Sequence, residues 1–232
     1  MNKPASYKVL RIVHDDYSDG DRADTLLPRL GCELVTVCPM HGDELPCVDG
    51  EFDAAIVYGG VQSVNSEDPY VRREIDWIGR WVSTDKPFLG LCLGGQMLAS
   101  ALGAPVSRHP EGLEEWGFYE VHPTELGRSF MDDTMCVYAA HNEGFELPQG
   151  AELLLRGESF PQQAFRYGNN AYGLQFHPEC TPAMMQLWLD LGRDDLGKPG
   201  THEAARQLSD SLRYDKAMGE WFEAFLAKWI RD

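Results

Sequence analysis

Short apolar runs alternate with stretches of helical character over the first half of the chain, and this alternation limits the possible folds more than any other feature. Four runs are typical of strands: YKVLRIVH, CELVTVCP, FDAAIVYGG and KPFLGLC. Helix-like or turn-like stretches lie between them and after the last one. Strands that alternate with helices favour a parallel sheet covered on both faces. Ligands bind beyond the carboxyl ends of the strands in such sheets, so YGG and GLC would face one pocket.

From about Trp116 onward the pattern changes to shorter β-like runs: WGFYEVHP, TMCVYAAH, ELLLRG, QAFRYG and AYGLQFHPE. These runs favour antiparallel strands appended to the sheet. A helix follows, with Thr181 as its N-cap, Pro182 in the first helical position and Gly192 as its stop. The sequence therefore predicts an α/β fold: a doubly wound, mostly parallel central sheet flanked by helices, with added antiparallel strands and a C-terminal helical segment.

The C-terminal part of the chain is predicted to be a connector followed by an amphipathic helix. We divide the chain into one α/β domain, residues 1–192, and a segment 193–232 whose helix packs on that domain. Aromatic residues recur at helical spacing in this helix: Trp221, Phe222, Phe225 and Trp229. Core packing is the simplest interpretation of this stripe, and a surface for a partner protein is the alternative.

The composition excludes several classes of protein. A chain of 232 residues, 43% of them apolar, can bury a core without disulfides or metal. The net charge of −17 argues against nucleic-acid binding, which depends on Lys and Arg neutralising phosphates. No apolar run approaches the roughly 20 residues that span a bilayer, and the N-terminus has no signal-peptide pattern. We expect a cytoplasmic protein that binds neither nucleic acid nor membranes.

The six cysteines form no CxxC pair and show no Cys/His spacing typical of zinc. The sequence therefore predicts no metal site. In a reducing compartment most of these residues are expected to be free thiols that pack as small apolar groups.

Cys92 differs from the other cysteines because it lies between glycines, in GLCLG, where an apolar strand meets a small-residue helix. This is the G-x-nucleophile-x-G form of a sharp strand-to-helix turn, in which Gly90 and Gly94 let the chain pass close by. The helix N-terminus favours negative charge, so the thiol is expected to react as a thiolate. The N–H of Leu93 would point at the oxyanion formed when this thiolate attacks a carbonyl. The alternative is a glycine-rich turn that serves only tight packing.

A candidate base for this nucleophile lies in GLQFHPE, which we predict to be the end of a second strand. Residues two apart in an extended segment point the same way, and Pro178 disfavours helix before it. His177 and Glu179 can therefore form a base and the carboxylate that orients it. With Cys92 they would complete a Cys–His–Glu triad.

Several separate motifs now occur in order along most of the chain: YGGVQSV, FLGLCLGGQMLA, EEWGFYEV, HNEGFELPQGAELL, PQQAFRYG and YGLQFHPE. Together they resemble the class I (triad) glutamine amidotransferases, and in particular the stand-alone branch related to the glutaminase domain of GMP synthetase. The resemblance implies that Cys92 takes the γ-glutamyl group as a thioester. His177 would move protons, Glu179 would orient it, and Gly60 would share the oxyanion hole with Leu93.

The resemblance also implies substrate contacts. Gln96 matches a position that touches bound glutamine, and Asn142, Gly144 and Phe145 match the loop that holds its α-amino and α-carboxylate groups. The chain departs from the family pattern in three places. HNEGF stands where HGDTF is common in the closest branch, Gly95 stands where His is frequent, and Val61 stands where Pro often follows the two glycines.

The resemblance implies a glutaminase that needs no cofactor and acts on a small-molecule substrate. Glutamine would be hydrolysed to glutamate, and ammonia would pass to an acceptor that we expect on a separate synthetase subunit, because no synthetase domain follows Asp232. A γ-glutamyl hydrolase or peptidase is the first alternative, since the same triad could cleave a γ-glutamyl amide without an ammonia channel. A catalytically silent regulatory subunit is the second, and the intact triad counts against it.

Overall fold

A computed structural model describes residues 7–14, 20–192 and 196–231. Those residues form the strands β1 (Tyr7–Ile12), β2 (Cys32–Val37), β3 (Ala54–Val57), β4 (Phe88–Leu91), β5 (Val106–Arg108), β6 (Glu115–Pro123), β7 (Met135–His141), β8 (Glu143–Phe145), β9 (Glu152–Arg156), β10 (Ala164–Tyr167) and β11 (Ala171–Leu174). Their helices are α1 (Arg22–Arg29), α2 (Pro69–Val82), α3 (Leu93–Ala101), α4 (Pro182–Leu191) and α5 (Ala204–Trp229).

Nine of these strands form one sheet in the order β2-β1-β3-β4-β11-β10-β9-β6-β7. The first five strands in that order pair in parallel, and the other four join them through antiparallel pairs. The predicted fold class, with a mostly parallel sheet and appended antiparallel strands, is therefore confirmed.

Capping residues set the starts of α1 and α4, and the cap of α4 is the predicted Thr181. The Asp21 side chain accepts from the N–H of Asp24 at the start of α1, and Thr181 accepts from the N–H of Met184 at the start of α4. Each bond satisfies a donor that the first helical turn leaves without an intrahelical acceptor. Helix α4 ends before Gly192, as expected.

The helices cover both faces of the sheet. Buried residues of α1, α4 and α5, such as Leu27, Leu189 and Phe222, pack in one hydrophobic cluster. Buried residues of α2 and α3, such as Ile78 and Leu98, pack in a second. This two-faced burial explains why β3 and β4 are apolar at every position apart from one glycine.

The aromatic stripe on α5 packs into the core, as its simplest interpretation predicts. Phe222, Phe225 and Trp229 are buried, and the half-buried Trp221 donates from its indole Nε1 to the carbonyl of Phe130 at 2.9 Å. No helix among the described residues is both long enough and apolar enough to cross a membrane.

Three local expectations were wrong. The run AYGL was grouped with the appended antiparallel strands, but it forms β11, which pairs in parallel with β4 inside the sheet. The strand predicted to carry His177 ends earlier, since β11 stops at Leu174 and the following residues form bends and a turn. The HNEGF segment is not simply a loop, because Glu143–Phe145 forms β8 and pairs antiparallel with Val106–Arg108 in a separate two-stranded sheet. That pairing joins segments distant in sequence, so local patterns do not predict it.

Candidate active site

A sharp turn between β4 and α3 presents Cys92. Its backbone adopts φ +49° and ψ −104°, in the region that side chains other than glycine rarely adopt. Glycine is required around this turn. A Cβ at Gly90 would lie 2.4 Å from the carbonyl oxygen of Gly94, and a Cβ at Gly94 would lie 2.1 Å from that of Val57. Gly95 is equally constrained, which explains why this chain has no larger side chain there: its Cβ would lie 2.6 Å from the carbonyl oxygen of Leu174.

The Cys92 thiol is buried at the N-terminus of α3. Its Sγ lies 3.8 Å from the carbonyl oxygen of Ala140 and 3.9 Å from Nε2 of Gln175. Leu93 is the first residue of the helix, so its N–H has no intrahelical acceptor. The next N–H, that of Gly94, donates to the carbonyl of Tyr58 at 3.2 Å. Leu93 thus occupies the position expected of an oxyanion donor.

His177 and Glu179 meet directly, although they lie in a turn rather than in a strand. Nδ1 of His177 and Oε1 of Glu179 are 2.7 Å apart, and both side chains are buried. The backbone N–H of His177 donates to the carbonyl of Tyr138 at 2.8 Å. The Trp188 ring packs edge-to-face on the imidazole, with the ring centroids 5.0 Å apart. These contacts fix the ring orientation and assign the Nδ1 side to the carboxylate.

The electrostatics of the site favour a protonated imidazole. Burial alone lowers the pKa of His177, but the Glu179 carboxylate and the Cys92 sulfur oppose burial and raise it well above its ordinary value. Its Nε2 is buried and, apart from its interaction with the Cys92 sulfur, has no hydrogen-bond partner among the described residues. An imidazolium with one nitrogen held by a carboxylate and the other directed at the nucleophile is suited to exchange a proton with a reacting group.

Arg22 holds in place the turn that contains His177 and Glu179, which we call the dyad. The sequence pattern did not identify Arg22. Its guanidinium donates to the carbonyls of Pro178 (3.0 Å) and Cys180, and it forms an ion pair with Asp215 on α5. The Arg22 N–H also donates to the carbonyl of Glu179 at 3.0 Å. Helices α1 and α5 therefore fix the position of this turn through Arg22. A basic residue in the first turn of a helix gave no sequence signal for this role.

The two glycines after β3 pass close to the Cys–His pair. A Cβ at Gly59 would lie 2.6 Å from Cε1 of His177 and 3.5 Å from Cβ of Cys92. A Cβ at Gly60 would lie 3.1 Å from Cδ2 of Leu93. The structure thus brings together the three residues of the predicted triad and both predicted oxyanion donors.

A cavity of about 440 Å³ opens in front of Cys92. Gln96 and Asn142 line it, whereas Gly144 and Phe145 are not among its lining residues. Phe145 is buried and packs edge-to-face on Phe165 instead. Of the predicted substrate contacts, the structure therefore places two at the cavity and two away from it.

Gln96 and a buried His–Glu pair fix one wall of this cavity. Gln96 Nε2 donates to the carbonyl of Glu143 at 2.8 Å, and Nδ1 of His141 lies 3.0 Å from the same oxygen. Nε2 of His141 lies 3.0 Å from the Glu115 carboxylate, which also accepts from Gln163. Sequence reasoning missed this pair, since it forms only when β6 aligns with β7.

The other wall of the cavity is apolar. It consists of side chains from α4 and the start of β6, and we call it the apolar wall: Trp116, Met184, Trp188 and Leu191. Among the residues the structure describes, no group of three or more His, Cys, Asp or Glu side chains is arranged to hold a metal ion.

Comparison with known proteins places this site in a family. The sequence model of "Glutamine amidotransferase class-I" matches residues 26–188. A putative glutamine amidotransferase-like protein, YfeJ, from Salmonella typhimurium is 36% identical over 60% of this chain and 62% of its own length. The chain thus spans less than two thirds of that relative.

Two further relatives and one solved structure support the same family. A GMP synthase subunit from Sulfurisphaera tokodaii, named as glutamine-hydrolysing, is 30% identical over 66% of this chain and 79% of its own. Gamma-glutamyl peptidase 5 from Arabidopsis thaliana is 26% identical over 57% of this chain and 59% of its own. The crystal structure of a glutamine amidotransferase from Thermotoga maritima superposes with a TM-score of 0.88 at 28% identity, covering 98% of this chain and all of that one. The chain belongs to the class-I glutamine amidotransferase family.

Proposed function

We propose that this protein hydrolyses the γ-amide of glutamine through a γ-glutamyl thioester on Cys92. One observation carries the proposal: a cysteine in a left-handed backbone conformation at a helix N-terminus shares a cavity with a His177–Glu179 dyad. Apart from its interaction with the Cys92 sulfur, Nε2 of the buried imidazole has no hydrogen-bond partner among the described residues, which supports a role in proton transfer.

The reaction follows from these positions. The Cys92 thiolate attacks the γ-carbonyl carbon, and the N–H groups of Leu93 and Gly60 stabilise the resulting oxyanion. Nε2 of the His177 imidazolium gives its proton to the departing nitrogen as the C–N bond breaks, which leaves the thioester and ammonia. Neutral His177 then takes a proton from water, whose oxygen attacks the thioester, and the thiolate leaves with glutamate as product. Glu179 stabilises the imidazolium in each half-reaction.

Ammonia is proposed to pass to an acceptor site on a separate chain. The relative named as one subunit of a glutamine-hydrolysing GMP synthase supports this arrangement, since a protein of that name works with a further chain. The protein and such a partner are proposed to act together in the cytoplasm.

A second candidate is a γ-glutamyl hydrolase or peptidase, and the apolar wall favours it. A cavity of about 440 Å³ falls in the range that takes drug-sized ligands, whereas glutamine has only ten or so non-hydrogen atoms. Trp188 lies against His177, the group that would protonate the leaving nitrogen, so an apolar amine would meet this wall.

The two candidates differ in their preferred leaving group, and the purified protein can be tested with two substrates. We expect measurable release of glutamate from glutamine. A kcat/KM for the γ-benzylamide of L-glutamate, whose leaving amine is bulky, apolar and about as basic as ammonia, more than about 100-fold above that for glutamine, or about 2.7 kcal/mol, would favour the hydrolase instead. Release of glutamate from neither substrate would contradict both candidates.

A further inference from the structure

A third buried His–Glu pair lies beneath the glycines that face Cys92. His14, just beyond the end of β1, and Glu74, on α2, are both fully buried. Nε2 of His14 lies 2.9 Å from Oε1 of Glu74, and its Nδ1 lies 3.0 Å from the carbonyl oxygen of Gly59. Neither side chain is among the residues that line the cavity.

The hydrogen-bond partners of His14 determine which of its ring nitrogens carries a hydrogen. A carbonyl oxygen can only accept, so Nδ1 must carry a hydrogen and donate it to Gly59. The 2.9 Å contact on the other side then places one proton between Nε2 and the Glu74 carboxyl group. Glu74 thereby fixes the orientation of the ring that holds the Gly59 carbonyl.

The planarity of the peptide bond transmits this contact to the next residue. The Gly59–Gly60 peptide is trans, so its N–H points away from its C=O. With the Gly59 carbonyl directed at His14, the Gly60 N–H is directed away from His14. We infer that His14, oriented by Glu74, is a positioning residue that turns the Gly60 N–H toward the oxyanion at Cys92. The inference deepens the proposed function and rests on it.

Local sterics would not hold this peptide by themselves. It lies between two glycines, which adopt more backbone conformations than any other residue, so its plane can rotate at little cost. A specific hydrogen bond is needed to select one orientation. The loop also sits directly on His14, since a Cβ at Gly60 would lie 2.7 Å from the His14 Cβ.

The burial of Glu74 costs free energy of folding, and packing alone would not require a carboxyl group at this position. Its Oε2 has no hydrogen-bond partner among the described residues. A buried carboxyl group with an unsatisfied oxygen destabilises a fold relative to an apolar side chain of similar size. A pair that served only to join β1 to α2 would be replaceable by apolar residues, whereas a pair that orients a peptide would not.

The inference can be tested with two substitutions at one position. His14→Phe keeps a ring but removes the donor, and His14→Asn keeps a donor, since its Nδ2 can occupy the place of Nδ1. Three measurements are made on each variant: the crystal structure of the loop, kcat with L-γ-glutamyl-p-nitroanilide, and the rate of Cys92 alkylation by iodoacetamide. Alkylation passes through no oxyanion, so it reports on the thiolate alone.

We expect His14→Phe to rotate the Gly59–Gly60 peptide and to lower kcat by about 10- to 100-fold, because loss of an oxyanion donor costs about 10²–10³. Its alkylation rate should stay within about threefold of wild type, and His14→Asn should recover most of kcat. An unrotated peptide in the His14→Phe crystal structure would overturn the inference whether or not the protein is active. An inactive wild type with a rotated peptide in the variant would contradict the proposed function and leave the orientation by His14 established.

Discussion

Replacing Gly59 by alanine should damage catalysis far more than it damages the fold. The added Cβ would lie 2.6 Å from Cε1 of His177, whereas ordinary contacts begin at 3.4 Å. The imidazole, or the loop, must therefore move by about 0.8 Å. Misplacement of a catalytic group by about 1 Å lowers rates by about 100-fold, or about 2.7 kcal/mol of transition-state stabilisation.

The matched control is Gly79→Ala in the last turn of α2. Its Cβ would have no neighbour closer than 3.9 Å, so alanine fits and should stabilise the helix by about 0.5–1 kcal/mol. Activity on L-γ-glutamyl-p-nitroanilide and the urea midpoint of unfolding are measured for both variants. Gly59→Ala with a kcat/KM within about threefold of wild type would refute the proximity of this loop to His177.

The remaining predictions concern the groups around the dyad. Arg22→Ala should lower kcat at least tenfold and destabilise the protein by about 2–4 kcal/mol. The substitution leaves two carbonyls without their donor and Asp215 without its ion-pair partner. The anilide assay measures the first effect and urea unfolding the second. Burial raises the pKa of Asp21 from 3.8 to about 7. As the pH rises from about 4 to about 7, Asp21 ionises in the unfolded chain before it ionises in the fold, and the fold is destabilised. Asp21→Asn should therefore be more stable than wild type at about pH 8, by on the order of 4 kcal/mol, and should lose that advantage at about pH 4. His177→Ala should abolish most turnover, whereas Glu179→Gln should leave a measurable remainder. Because the pKa of His177 is raised in the fold, the stabilisation that Glu179 provides should be complete below about pH 6.5 and should decline at higher pH, as urea unfolding of Glu179→Gln and wild type would reveal.

The sequence predicts the parallel strands β1 to β4 and the Cys92 turn because both depend on local patterns. Alternating apolar runs and helical stretches indicate parallel strands, and the glycines of GLCLG are required by contacts within a few residues or with the adjacent strand. The fifth parallel strand, β11, was expected among the antiparallel strands, because its pairing with β4 joins segments distant in sequence. The Cys–His–Glu grouping was also predictable, although its stated reason was wrong. His177 and Glu179 meet in a turn held by Arg22 rather than in an extended strand.

The parts that could not be predicted depend on pairing between distant segments. His14 and Glu74 are 60 residues apart, and Glu115 and His141 are 26 apart. Each looks like an ordinary polar residue in the sequence, and only the fold brings the two members of a pair into contact. The same holds for β8, whose partner strand has three residues and no distinctive pattern.

Covalent labelling tests the central claim most directly. The protein is treated with 6-diazo-5-oxo-L-norleucine, a glutamine-like diazoketone, and the labelled peptides are mapped by mass spectrometry. The account predicts one label per chain, on Cys92, with loss of labelling in Cys92→Ser, because this cysteine alone combines the helix N-terminus with the His177–Glu179 dyad. A label on any of the other five cysteines, or no label at all, would contradict it.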